Sequence, residues 1–199
     1  RLRRGYPEPA WHHILAHEVT HIALEADARA VGRNRWFVTT AETRAKAIQL
    51  MAPEIKKLER QGHPEERLAE LVVQLHKGAT AFVFNCAIDM MIEERLRREL
   101  PALADAQLLS LDKLAQEAIG VTSNQEIRKL TPERIQSVND TLNAATALFV
   151  RDLSDGAIDH VAAYKPFHCL QKAERLYAAY RKAAARNIGP GEEYDLVHN

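Results

Sequence analysis

The 199 residues carry 27 Lys and Arg against 27 Asp and Glu, a formal net charge of zero. That length suits a single domain with a buried core. The balance excludes the broad basic surface that nucleic acid or an anionic membrane selects, and Arg1-Leu2-Arg3-Arg4 is too short to alter this. Cys86 and Cys169 are too few for a disulfide framework, so a reduced, cytoplasmic setting is expected, with one bridge left open. No signal peptide and no apolar run of membrane-spanning length is read, so no membrane partner is expected. The start at Arg1 rather than Met leaves open that this is a piece of a longer or processed protein.

Residues 1–9 are expected to be irregular, because Gly5, Pro7 and Pro9 interrupt regular structure. A first helix should run from about Ala10 to Ala30 and end near Gly32. Residues 33–40, with Trp36, Phe37 and Val38, form the one short stretch of strand-like composition. A second helix should follow Thr40, on the spacing of Ala45, Ile48, Met51, Ile55 and Leu58, with a kink or split at Pro53. A third opens at Pro64-Glu65-Glu66, bends or breaks at Gly78 and stops before Pro101. Its charged end, Glu93 to Glu99, reads as a solvated run with Glu93–Arg97 and Glu94–Arg98 pairs. Leu108, Leu111, Leu114 and Ala118 mark a further helix stopped by Gly120. Ser123 is a capping candidate, and Thr131-Pro132-Glu133 starts the next helix, which runs past Phe149. The last helix spans about Phe167 to Ala185, and residues 187–199 form an expected flexible tail. Together these make one all-α domain over residues 1–199, with at most one short strand near 35–40.

The chemistry is concentrated in Trp11–Val31, WHHILAHEVTHIALEADARAV, which holds His17-Glu18-Val19-Thr20-His21. On a helix, i and i+4 share a face about 6 Å apart along the axis, where two imidazoles can hold one Zn²⁺. Glu18, about 100° further round, is placed to accept a proton from metal-activated water. The spacing therefore assigns His17 and His21 as ligands and Glu18 as general base. A run free of Gly and Pro, flanked by Ile14, Leu15, Val19, Ile22 and Leu24, suits a buried helix.

A catalytic zinc takes three protein ligands and leaves one position open. The third donor is sought on a second helix, as a polar side chain within an apolar run. In Phe82–Glu93, Asn85, Asp89 and Glu93 fall at i, i+4 and i+8. Asp89 is the first choice as ligand, with Asn85 supporting it by a hydrogen bond. The alternative makes Glu93 the ligand and Asp89 the group that orients a histidine. Glu25 lies about 12 Å along the axis from His17, too far to share its ion, and it reads with Asp27 as a group supporting the ligands or as a surface group. His13, four residues before His17, is expected at the surface or in the core, with a place at the site entrance as the other option. His160 and Tyr164 are candidates for stabilising an oxyanion.

The segment His17–His21 resembles the active-site helix of the zincin metallopeptidases. The run from Asn85 through Asp89 to Glu93 resembles, more weakly, a later helix of some H-E-x-x-H proteins, and departs from the E-x-x-x-D order of gluzincins. The resemblance implies a zinc metallopeptidase acting on peptide or protein substrates. The competing expectation is a zincin-like metal-binding scaffold or interaction domain without hydrolytic activity.

Overall fold

A computed structural model describes residues 6–35, 39–186 and 188–198. The fold is all-α: among the described residues there is no strand, and residues 36–38, at the centre of the strand-like stretch, lie outside them. The chain runs α1 (Glu8–Ala30), α2 (Ala41–Arg60), α3 (Glu65–Glu99), α4 (Ala104–Ser123), α5 (Gln125–Leu130), α6 (Glu133–Leu153), α7 (Leu170–Ala184) and α8 (Asp195–His198). Short 3-10 segments cover Pro101–Leu103 and Val161–Phe167.

Side-chain caps set the starts of α2 and α5. Thr40 caps α2, its Oγ1 accepting the Thr43 amide at 3.1 Å. Asn124, one residue beyond the expected Ser123, caps α5 by accepting from the amides of Glu126 and Ile127 at 3.0 and 3.1 Å. Neither Pro53 nor Gly78 splits its helix, α2 and α3 running unbroken through them, and α4 continues three residues past Gly120. A single unfavourable residue costs about 1 kcal/mol for Gly and about 3 for Pro, and burial on either side can outweigh it. In α2, Met51 and Leu58 flank Pro53 and are buried.

α6 is the central element. It packs against α7, α3, α4 and the 3-10 segment, while α1 lies across α4 and α3. The main core joins Cys86 and Met90 of α3, Leu111 of α4, Leu142, Leu148 and Phe149 of α6, Tyr164, and Tyr177 and Tyr180 of α7. Both cysteines are buried free thiols. α3 meets α4 only near their shared corner and otherwise stands apart from it, which leaves a trough above α6.

The end of the chain, expected to hang loose, instead folds back. Tyr194 is buried with Ala28, Ile88, Ile92 and Leu96, and its hydroxyl donates to Asn34 Oδ1 at 2.8 Å. Arg33 pairs with Glu192 at 3.0 Å and Arg35 with Asp195 at 2.7 Å. Gly191 has φ +80°, and a Cβ there would stand 2.3 Å from the Arg33 Cβ, so only glycine allows this approach. Gly and Pro in 189–191 suggested disorder, but they serve the turn that brings Tyr194 home.

The expectation of no membrane-length apolar run is also corrected. By length and composition alone α3 could cross a bilayer, with an 18-residue window of mean hydropathy 1.3. Small and polar residues such as Gly78, Thr80 and Asn85 conceal this window from a search for an unbroken apolar run.

Candidate metal centre

Helical repeat places His13, His17 and His21 on one face of α1, four residues apart. Opposite them stand Asp89 and Glu93, one turn apart on α3. His17 Nδ1 lies 2.8 Å from Glu93 Oε1, and His13 Nε2 lies 2.8 Å from Glu93 Oε2. An ionised carboxylate only accepts hydrogen bonds, so both ring nitrogens donate. Gln107 of α4 closes the set, its Nε2 donating to Glu93 Oε2 at 2.7 Å and to the Glu93 carbonyl at 2.8 Å.

The second group converges on the other nitrogen of His17. His17 Nε2, His21 Nε2 and Asp89 Oδ1 are separated by 3.1, 3.0 and 3.6 Å. A tetrahedral ion with donors about 2.0–2.1 Å away holds them about 3.3–3.4 Å apart. The three atoms therefore fit Zn²⁺ with little movement. The His17 tautomer fits as well: a proton held on Nδ1 by Glu93 leaves the Nε2 lone pair for a metal. A buried carboxylate behind a histidine is the usual support of such a ligand. Of the two readings left open, this geometry matches Asp89 as donor and reverses the supporting roles, since Glu93 orients His17. His13, His17 and Glu93 make a second group of potential donors, deeper in the protein.

Exposure rises across the centre. The side chain of Glu93 is 5 % exposed, His17 17 %, His21 31 % and Asp89 41 %. Burial works against a charged His17, yet hydrogen bonds to Asp89 and Glu93 and their negative charges prevail and raise it to about 10. Burial likewise opposes ionisation of Glu93, but hydrogen bonds from His13 and His17 and their charge hold it at about 2. Asp89 is also held below its ordinary value, against burial, by His17 and His21. Without a metal, the centre thus keeps a proton where a cation would sit.

Glu18 follows His17 round α1 and is exposed. With His17 and Asp89 it lines a cavity of about 1050 Å³ that extends over α6. Tyr164 is buried and lines the same cavity. His160 does not; it lies in the loop before the second 3-10 segment, where its Nε2 is 2.6 Å from Asp112 Oδ1 of α4. Asn85 is exposed one turn before Asp89 and makes no hydrogen bond to the centre, because α3 turns that position outward. Glu25 pairs with Arg29.

His13 lies in the core, one of the two places expected for it, and joins the centre from there through Glu93, which Gln107 also holds. The spacing i−4 from His17 was the available signal for His13. Gln107 lies on a distant helix and left no signal. Glu93, the alternative ligand that also opens the charged run, is buried, and neither the Glu93–Arg97 nor the Glu94–Arg98 pair forms. The pairs along the run are Arg95–Glu99, Arg98–Glu99 and, to α7, Glu94–Arg181. No protein-family model, curated protein or solved structure matches this chain.

Proposed function

We propose that this protein is a zinc-dependent metallopeptidase of zincin type, with His17, His21 and Asp89 as ligands and Glu18 as general base. The observation that carries the reading is the near-tetrahedral spacing of His17 Nε2, His21 Nε2 and Asp89 Oδ1, at 3.0–3.6 Å. A zinc ion at this point would supply a water acidic enough to ionise near neutral pH and a Lewis acid for a peptide carbonyl. Glu93 keeps the His17 ring turned toward the ion, and His13 and Gln107 hold Glu93 in place. Glu18, at the cavity wall, accepts the proton of the attacking water and passes it to the leaving amine. Tyr164 lines the same cavity as the candidate for steadying the developing oxyanion.

A second reading has one observation in its favour: Glu93, His13, His17 and Gln107 link α1, α3 and α4, as a purely structural metal site would. One variant separates the two. Glu18→Gln should bind one zinc per chain, as the native protein does, and lose about 10²–10⁴-fold in peptide hydrolysis. Native protein that binds zinc without hydrolysing any peptide library favours the scaffold. Native protein that takes up no zinc removes both readings.

A further inference from the structure

We infer that the cavity beside the metal centre receives an extended peptide segment with apolar side chains, bound along α6. The inference deepens the peptidase reading and rests on it only for the position of the bond to be cut. The cavity, about 1050 Å³, is lined along α3 from Gln74 to Glu93 and along α6 from Ile135 to Val150. It is therefore a trough with α3 and α4 as walls, α6 as floor and the metal centre at one end. The floor from Gln136 to Val150 is about 21 Å long at 1.5 Å per residue, the span of about six residues of extended chain.

The chemistry of the lining distinguishes a peptide from a lipid. The walls are apolar, with Leu75 and Phe82 on α3 and Leu111, Leu114 and Val121 on α4. The floor carries a polar row: Gln136, Asn139, Asn143 and Thr146 follow at spacings of three and four on one face of α6. Asn139 makes no side-chain hydrogen bond among the described residues, and Asn143 has only a long contact of 3.4 Å to Thr122. Ser110, at the metal end of α4, is fully buried with its hydroxyl unpartnered and lines the trough. Gln136 and Thr146 are already bonded to backbone carbonyls, whereas the Asn139 amide, the weakly held Asn143 amide and the buried Ser110 hydroxyl are costly beside a hydrocarbon chain and useful beside peptide N–H and C=O groups. An extended strand sends alternate side chains to opposite sides, so its backbone can meet the floor while its apolar groups enter the walls. Small residues keep the trough open, among them Gly78 and Ala79 on α3 and Ala115 and Ala118 on α4.

The test measures binding rather than turnover. A fluorescein-labelled hexapeptide of alternating leucine and serine is titrated with the whole protein, with and without added zinc, and followed by anisotropy. A fluorescent dodecanoyl probe is titrated in parallel. The expected result is saturable peptide binding in both conditions. It should weaken about tenfold in the double variant Asn139→Leu with Asn143→Leu, and vanish in Ala118→Trp or Ala115→Phe, with folding verified by circular dichroism. Absence of saturable peptide binding, binding indifferent to these folded variants, or tighter binding of the dodecanoyl probe overturns the inference. Zinc content is measured on the same samples, so peptide binding by protein that takes up no zinc upholds the trough and removes the peptidase reading.

Discussion

Glu93 Oε1 accepts a hydrogen bond from His17 Nδ1 at 2.8 Å, while His17 Nε2 faces His21 and Asp89 on the opposite side of the ring. One imidazole thus joins a buried carboxylate to an exposed one. Loss of such a supporting carboxylate weakens metal binding about 10–100-fold. Glu93→Gln is expected to lower zinc affinity by that amount, measured by competition with a chromophoric chelator. Glu93→Ala is expected to cost about 3–5 kcal/mol of stability, read by urea unfolding, because it strands His13 and Gln107 in the interior.

The proton on His17 must leave when a metal arrives. With His17 raised to about 10, zinc binding at pH 7.5 should release about one proton per chain from this ring. Calorimetry in buffers of different ionisation enthalpy reads the number directly. His17→Ala, which removes the donor shared by both possible ligand sets, should abolish stoichiometric zinc uptake.

Stability of the metal-free protein should peak in a window set by this same pair. His17 is raised from 6.5 to about 10, so its contribution is full below pH 6.5 and is lost as pH climbs through 10. Glu93 is lowered from 4.5 to about 2, so its contribution is full above pH 4.5 and is lost as pH falls through 2. The urea midpoint should be highest between pH 4.5 and 6.5 and decline on both sides. Saturating zinc should reverse the alkaline limb, because binding improves as the proton becomes easier to displace. Glu93→Gln should make the acid limb shallower, leaving the part that Asp89, also held below its ordinary value, contributes.

Tyr194 links the chain end to the helices that carry the centre. It packs on Ile88 and Ile92, which alternate with Asp89 and Glu93 along α3. Tyr194→Ala is expected to cost about 3–5 kcal/mol, seen as a lower melting temperature. A weaker zinc complex should accompany it, because the backing of both carboxylates is lost.

Much of the fold was legible because helical spacing is a local signal. The stripes through α2, α4 and α6 follow from apolar periodicity, and Thr131-Pro132-Glu133 marks the start of α6 from chemistry within a few residues. Gly78 and Gly120 misled because their cost is small against the burial of a long helix. The tail misled because Tyr194 finds its partners about a hundred residues earlier in the chain. At the centre, His17, Glu18 and His21 could be read from one helix, and Asp89 from its apolar surroundings. Glu93 carried two opposed signals: its place eight residues after Asn85 on an apolar run marks it as an inward donor, and Glu93-Glu94-Arg95 marks it as an exposed helix end. Only the approach of α1 and Gln107 makes it an interior group.

The donors form a ladder. Two helices running in opposite directions set His13 and His17 across from Glu93, and one turn along they set His17 and His21 across from Asp89. The two rungs share His17 and differ mainly in depth. A cation that loses the outer rung has an inner one a single helical turn away, sealed from water. On the proposed peptidase reading, occupancy and turnover would therefore be separable, and a chain holding a cation on the inner rung would be silent.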